Sequence, residues 1–167
     1  VGRILAALDR LHLADNTILI YTSDHGYNIG HHGLWHKGNA AWLLKPEALP
    51  PATPNIPAIE RPNMFDTSIR IPLIIRWPGV IKGGTVNPHA LTHLDWLPTF
   101  SALSGAPIPS GTTIRGRDVS PLLRGEVKSW DEDIYAEYSQ KHRAQVHMRM
   151  YRTPEWKLVR DFKNEGR

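Results

Sequence analysis

Apolar and polar positions alternate along the chain in three distinct rhythms. Ile4, Leu5, Leu8, Leu11 and Leu13 recur at helical spacing, with Asp9, Arg10 and His12 elsewhere around the turn, which predicts an amphipathic helix at the start. A solid run, Thr17 to Thr22, follows and ends abruptly on Asp24-His25-Gly26. Being β-branched and aromatic rather than alternating, it predicts a strand covered on both faces in a parallel sheet. Arg70 to Trp77 reads as a second buried strand, opened by Pro72 and stopped by Pro78-Gly79. Thr92 to Ser104 has a helical pattern, with Pro98 early in it and Gly105 placed as a C-cap.

Beyond Ser129 the rhythm becomes strict alternation: Ile134 to Tyr138, Val146 to Tyr151 and Trp156 to Val159 predict half-exposed antiparallel strands, with Thr153-Pro154-Glu155 in a turn. The segments between carry weaker signals. Gly26 to Gly38 is rich in glycine and histidine without a period and reads as a loop; Met64 to Ile69 reads as a short helical turn, Lys82 to Thr85 as a hairpin turn, and Val119 to Leu123 as a short apolar segment. Pro46, Pro50, Pro51, Pro54, Pro57 and Pro62 make residues 39–63 an irregular insertion, since proline can neither donate to a ladder nor continue a helix. Helix, buried strand, helix, then alternating strands give an α/β domain over 1–128 and the beginning of an antiparallel subdomain over 129–167.

Composition narrows the classes of function. The 167 residues hold 41% hydrophobic and 22% charged side chains, as an ordinary globular chain does. The net charge of +4 comes from scattered basic residues that form no stripe for tracking phosphates, so a nucleic-acid partner is not expected. Without cysteine, the chain holds no disulfide, thiolate metal site or cysteine nucleophile. No apolar run approaches the ~20 residues of a membrane span. The chain starts without Met inside a helical pattern and stops just after a strand-like run, so a segment of a longer polypeptide is expected.

The chemistry concentrates where the first strand ends. In open α/β sheets ligands bind beyond the carboxyl ends of strands, where Asp24 and His25 fall, and a carboxylate with an imidazole is a common ligand pair for divalent metals. A bare Asp-His pair would more often be a turn cap and a packed histidine. His31, His32 and His36 crowd the next loop, with His36 beside Lys37 the best placed to protonate a leaving alcohol; a surface histidine is the competing reading. Trp35 and Trp42 are either sugar-stacking platforms or loop anchors. Arg70 either reaches the site or pairs with Asp66, the structural role being favoured, while His93 and Asp95 read as helix-start residues rather than ligands.

Tyr21 to Gly26, Gly33 to Gly38, Met64 to Gly79, Leu94 to Thr99, Gly116 to Leu123 and Met150 to Leu158, in this order and spacing, together resemble the C-terminal part of the sulfatase family, within the alkaline-phosphatase-like superfamily. The resemblance implies an alkaline-phosphatase-like mixed sheet flanked by helices. It further implies Asp24 and His25 as metal ligands, usually of Ca2+, and Lys37 as the lysine that contacts the substrate sulfate. A compact ammonium beside a divalent cation suits charge building on sulfate oxygens. Trp35 is then a substrate-binding candidate, and His36 a catalytic one. Many family members have Asn where His25 stands, and calcium prefers oxygen, so another divalent metal is open.

The family's nucleophile, a formylglycine made within Cys/Ser-x-Pro-x-Arg, has no counterpart here and is expected upstream, as are its paired aspartates. The resemblance therefore implies a metal-dependent hydrolase of sulfate esters, small molecules or sulfated glycans, of which this chain alone is expected to be inactive. It also implies a periplasmic, secreted or lysosomal setting. Two rivals stand beside it: a phosphonate or phosphate ester hydrolase of the same superfamily, and a non-catalytic module that binds sulfated glycans.

Overall fold

The computed structural model describes residues 1–44, 60–141 and 145–162, and its fold is mixed α/β. Four α-helices are formed among these residues: α1 (Gly2–Arg10), α2 (Asp66–Ile69), α3 (Trp96–Ser104) and α4 (Ser120–Leu123). The strands are β1 (Leu19–Thr22), β2 (Asn28–Ile29), β3 (Leu34–His36), β4 (Trp42–Leu43), β5 (Leu73–Arg76), β6 (Ile134–Lys141), β7 (Gln145–Arg152) and β8 (Lys157–Phe162). They form three sheets, β1-β5, β2-β3-β4 and β6-β7-β8, the latter two antiparallel throughout. No helix among the described residues is long and apolar enough to cross a membrane.

The chain divides into two compact units, Val1–Ile20 with Ile75–Asp133 and Tyr21–Ile74 with Ile134–Arg167. In the first, a 3-10 turn, His93–Asp95, leads into α3 and carries a capping box: the Thr92 side chain accepts from the backbone of Asp95, and the Asp95 carboxylate accepts from Thr92 N–H at 2.8 Å. It ends on Gly105 at φ 69°, a left-handed conformation that glycine adopts without penalty. Asp95, nearly fully buried, also accepts from Arg117 N–H at 2.9 Å. Thr99, one turn on and fully buried, donates to Asp95 C=O at 2.6 Å and accepts from Val119 N–H at 3.0 Å. Gly116 passes so close to Leu94 that a Cβ there would lie 1.9 Å from its carbonyl oxygen. His93 and Asp95 therefore open the helix, as the sequence predicts.

The second unit holds the main apolar cluster. Met64, Val146, Met148 and Met150 are buried, with Ile69, Ile134, Ala136 and Tyr138 packed against them. At about 1.5–3 kcal/mol for each fully buried large side chain, this cluster is what fixes the segment before α2 onto the β6-β7 face. Asp66 at the start of α2 adds an ionic tie, accepting from Arg152 Nη1 at 3.0 Å and from Lys157 Nζ at 2.5 Å.

Several sequence expectations are corrected. Residues 26–38 are not a bare loop: β2 and β3 pair there, Asn28 opposite His36 and Ile29 opposite Trp35. β1 and β5 are not covered on both faces: Tyr21 and Ile74 are exposed, so one face at those positions has no layer packed on it among the described residues. The turn at 82–85 forms, with Thr85 N–H donating to Lys82 C=O at 3.2 Å, but no strand follows to make a hairpin. β6 alternates as predicted, whereas β7, central in its sheet, buries Val146, His147, Met148 and Met150. The partners of Asp66 are Arg152 and Lys157 rather than Arg70, whose tie to it is a backbone N–H donated to Asp66 C=O at 2.8 Å. Most of the proline-rich stretch, residues 45–59, lies outside the described residues.

Candidate active site

β1 ends at Thr22 and the chain turns at once through Ser23, Asp24, His25 and Gly26. Ser23 fixes the turn, its hydroxyl donating to His25 C=O at 2.8 Å and lying 3.4 Å from Asp24 Oδ1. Gly26 pins the turn to α2: its N–H donates to Ser68 C=O at 2.9 Å, and a Cβ there would meet Thr67 O at 2.2 Å. Only glycine permits that approach.

The result is a paired carboxylate and imidazole. His25 Nδ1 lies 2.8 Å from Gly26 C=O, and since a carbonyl only accepts, Nδ1 carries the proton. His25 Nε2 then faces Asp24 Oδ2 at 3.5 Å, either as a lone pair or, protonated, as an ion-pair donor. Desolvation raises the Asp24 carboxyl, but the N–H groups of Asp24 and His25, the His25 imidazole and the Ser23 hydroxyl together hold it below the usual carboxylate range. The Asp24 side chain is 84% exposed and that of His25 38%, so both are open to an incoming ion.

This donor set fits a divalent cation. Metal-bound histidines typically donate their other ring N–H to a carbonyl or carboxylate, as His25 does, and 3.5 Å is close to the separation of two atoms sharing one metal through bonds of about 2.1–2.4 Å. Among the described residues no cluster of three or more metal-ligating side chains forms.

Lys37 and its neighbours follow β3. Lys37 is exposed. His36 sits at φ 118°, a strained conformation for a residue with a side chain, of order 1–3 kcal/mol. Its ring is fixed by Asn39, with Nδ1 2.6 Å from Asn39 Oδ1, and packs edge-on to Trp42 at 5.0 Å and tilted against Tyr27 at 5.7 Å. Trp35 is exposed, edge-to-face with Tyr27 at 6.4 Å and opposite Trp42 in the β3-β4 register. His32 is a loop anchor, stacked on Phe65 at 4.1 Å. Asp24 thus stands with His25, and His36 with Tyr27 and Trp42.

The residues that sequence reasoning missed are polar and buried. Asn28 is fully buried; its Nδ2 donates to His36 C=O at 3.2 Å and to Ser68 Oγ at 2.8 Å, and its Oδ1 accepts from Thr67 Oγ1 at 2.5 Å. Ser68 Oγ donates in turn to Asn63 Oδ1 at 2.7 Å, and Asn63 N–H donates to Gly38 C=O at 2.8 Å. No local pattern could reveal this network, because Asn28 and Ser68 are forty positions apart and neither lies in an apolar run that signals burial.

Comparison with known proteins gives consistent matches. The Sulfatase family profile matches residues 1–106, and that of N-sulphoglucosamine sulphohydrolase, C-terminal, matches residues 59–166. The chain is 33% identical over 161 residues to steryl-sulfatase of Rattus norvegicus, covering 94% of this chain and 26% of that protein. It is 31% identical over 165 residues to N-acetylglucosamine-6-O-sulfatase of Bacteroides thetaiotaomicron, covering 95% and 25%. The chain therefore spans about a quarter of the length of these relatives. Among solved structures, Ps i-CgsB superposes with a TM-score of 0.65 at 23% identity over 95% of this chain and 30% of that one. Its complex with k-i-k-neocarrahexaose gives 0.57 at 20% identity over 96% and 33%.

Proposed function

We propose, because this chain belongs to the sulfatase family, that the protein hydrolyses sulfate esters and that Asp24, His25 and Lys37 are this chain's share of the site. The observation that carries the proposal is the His25 ring, oriented by Gly26 C=O so that Nε2 faces the Asp24 carboxylate at 3.5 Å. Asp24 and His25 would hold a divalent cation, Ca2+ by the family resemblance, which when bound supplies polarisation of sulfate oxygens. Lys37, a cation on a short connection after β3, lies against the sulfate and neutralises charge that builds on the ester oxygen as the S–O bond lengthens. His36 donates Nδ1–H to Asn39 Oδ1, so it would give a proton to the departing alcohol from Nε2 as the imidazolium, returning to the neutral Nδ1–H tautomer. The nucleophile, a formylglycine, is supplied by a Cys/Ser-x-Pro-x-Arg motif that this sequence does not contain.

The substrate we favour is a sulfated glycan, with Trp35 as the stacking face for a sugar ring. Support comes from a relative named N-acetylglucosamine-6-O-sulfatase and from a fold neighbour solved with k-i-k-neocarrahexaose. The test is to compare 4-nitrophenyl sulfate with 4-nitrophenyl phosphate as substrates of the full-length protein. Preferential release from the sulfate supports the proposal; preferential release from the phosphate replaces it with the phosphoester reading, and release from neither replaces it with a binding module.

A further inference from the structure

Two loops of different origin carry the proposed site, and one buried side chain touches the supports of both. Asn28 pairs with His36 in the β2-β3 ladder and again through its side chain, Nδ2 to His36 C=O at 3.2 Å. The same carboxamide reaches α2 at two points, Ser68 Oγ and Thr67 Oγ1. Those two residues are the ones against which the metal turn rests, since Gly26 N–H donates to Ser68 C=O and the Gly26 Cα lies under Thr67 C=O. A continuous hydrogen-bonded path thus runs from Gly26 through Ser68 and Asn28 to His36, one residue before Lys37.

The protons along this path have a single consistent direction. Ser68 has one hydroxyl hydrogen, which goes to Asn63 Oδ1, because Asn63 Nδ2 is committed as donor to Arg61 C=O at 2.9 Å. Ser68 Oγ must therefore accept from Asn28, and Asn28 must present Nδ2, not Oδ1, to both Ser68 and His36. Thr67 donates to the oxygen that remains. A carboxylate of the same shape could not serve here: it would set an anionic oxygen against His36 C=O with no proton between them. The side chain is fully buried, so water cannot replace a missing donor.

We infer that Asn28 is the positioning residue that fixes the Asp24-His25 turn and the Lys37 segment relative to one another. It touches neither metal nor substrate and acts through Thr67, Ser68 and the His36 carbonyl. Where it is perturbed, both halves of the site loosen together while the β6-β7-β8 sheet does not. The structural part of this inference stands on geometry alone; its catalytic part rests on the function proposed above.

The experiment is amide hydrogen exchange on the full-length protein and its Asn28→Asp and Thr67→Val variants. Thr67→Val keeps the volume and removes only the donor to Asn28, so it serves should Asn28→Asp fold poorly. The expected result is exchange about tenfold faster at both Gly26 N–H and Asn63 N–H, with amides of the β6-β7 ladder unchanged. Acceleration at one of the two only, or an equal acceleration across the ladder, would overturn the inference. A kinetic cycle adds the functional readout: Asn28→Asp is expected to lower kcat about tenfold or more beside Lys37 and less than about twofold in a Lys37→Ala background. Equal losses in both backgrounds would overturn the positioning role. Absence of any sulfate-ester turnover by the wild-type protein would instead count against the proposed function, with the exchange result still deciding the role of Asn28.

Discussion

Gly26 and Thr67 meet with no room for a methyl group between them: a Cβ on Gly26 would lie 2.2 Å from the Thr67 carbonyl oxygen. The obstacle is backbone, so the clash can be relieved only by moving the turn that carries Asp24 and His25. Gly26→Ala is therefore expected to destabilise the protein by about 3 kcal/mol, the upper end of ordinary overpacking costs. It should also weaken divalent-cation binding. Gly83→Ala, where no atom lies within 4 Å, is the control and should cost below about 0.5 kcal/mol. Urea unfolding of the two variants checks the difference.

Thr99 joins α3 to the segment before α4 through one hydroxyl, donating to Asp95 C=O and accepting from the Val119 N–H. Thr99→Val keeps the shape but leaves that buried N–H without an acceptor, at a cost of about 1–3 kcal/mol. Thr99→Ser keeps the hydroxyl and should lose clearly less. Thermal unfolding compares them.

The Asp66 carboxyl is held below its usual range, first by the hydrogen bond from Lys157, against desolvation, and further by Arg152. Because the folded-state pKa is depressed, fewer protons are bound folded than unfolded as pH falls toward and below the ordinary carboxylate range. The stabilisation is thus complete above the unfolded value of 3.8 and is lost as pH falls through the folded one. With its side chain 41% exposed, Asp66 contributes about 1 kcal/mol or less after screening. Asp66→Asn should lower stability at pH 7, and its difference from wild type should vanish in strong acid. Denaturant titrations at several pH values measure that convergence.

Long periodic segments were legible from sequence, and for physical reasons. The α1 helix, the α3 helix closed by Gly105 and the alternation of β6 were recorded by periodicity within single segments, although α1 buries no residue and Ile4 and Leu11 of its apolar stripe are exposed. β2, β3 and β4 left no such trace, being two or three residues long in a stretch whose composition is that of a loop. Of the proposed site, Asp24 and His25 could be named from their place after a strand-like run, whereas Lys37 could be named only through the family resemblance and Trp35 as a tryptophan in a loop. Asn28, Asn63, Thr67 and Ser68 could not, since a buried polar hub is defined by partners distant in sequence. The burial of β1 failed in the opposite sense: its apolar run predicts coverage on both faces, and Tyr21 is exposed.

Lys37 carries the sharpest kinetic expectation. In the full-length protein, Lys37→Ala should lower kcat/KM for a sulfate ester by about a hundred- to a thousandfold, the usual cost of removing one group that stabilises transition-state charge. Lys37→Arg keeps the charge but spreads it over a planar fork, and should recover part of the loss. Steady-state kinetics with 4-nitrophenyl sulfate decides the order of the three.

The most direct measurement is sulfate release by the full-length protein and by its Asp24→Ala, His25→Ala double variant, with calcium binding followed calorimetrically in parallel. The account predicts loss of calcium binding and a fall in turnover of at least about a thousandfold, with folding retained because both side chains are substantially open to solvent. Turnover and calcium affinity at wild-type levels in the double variant would contradict it.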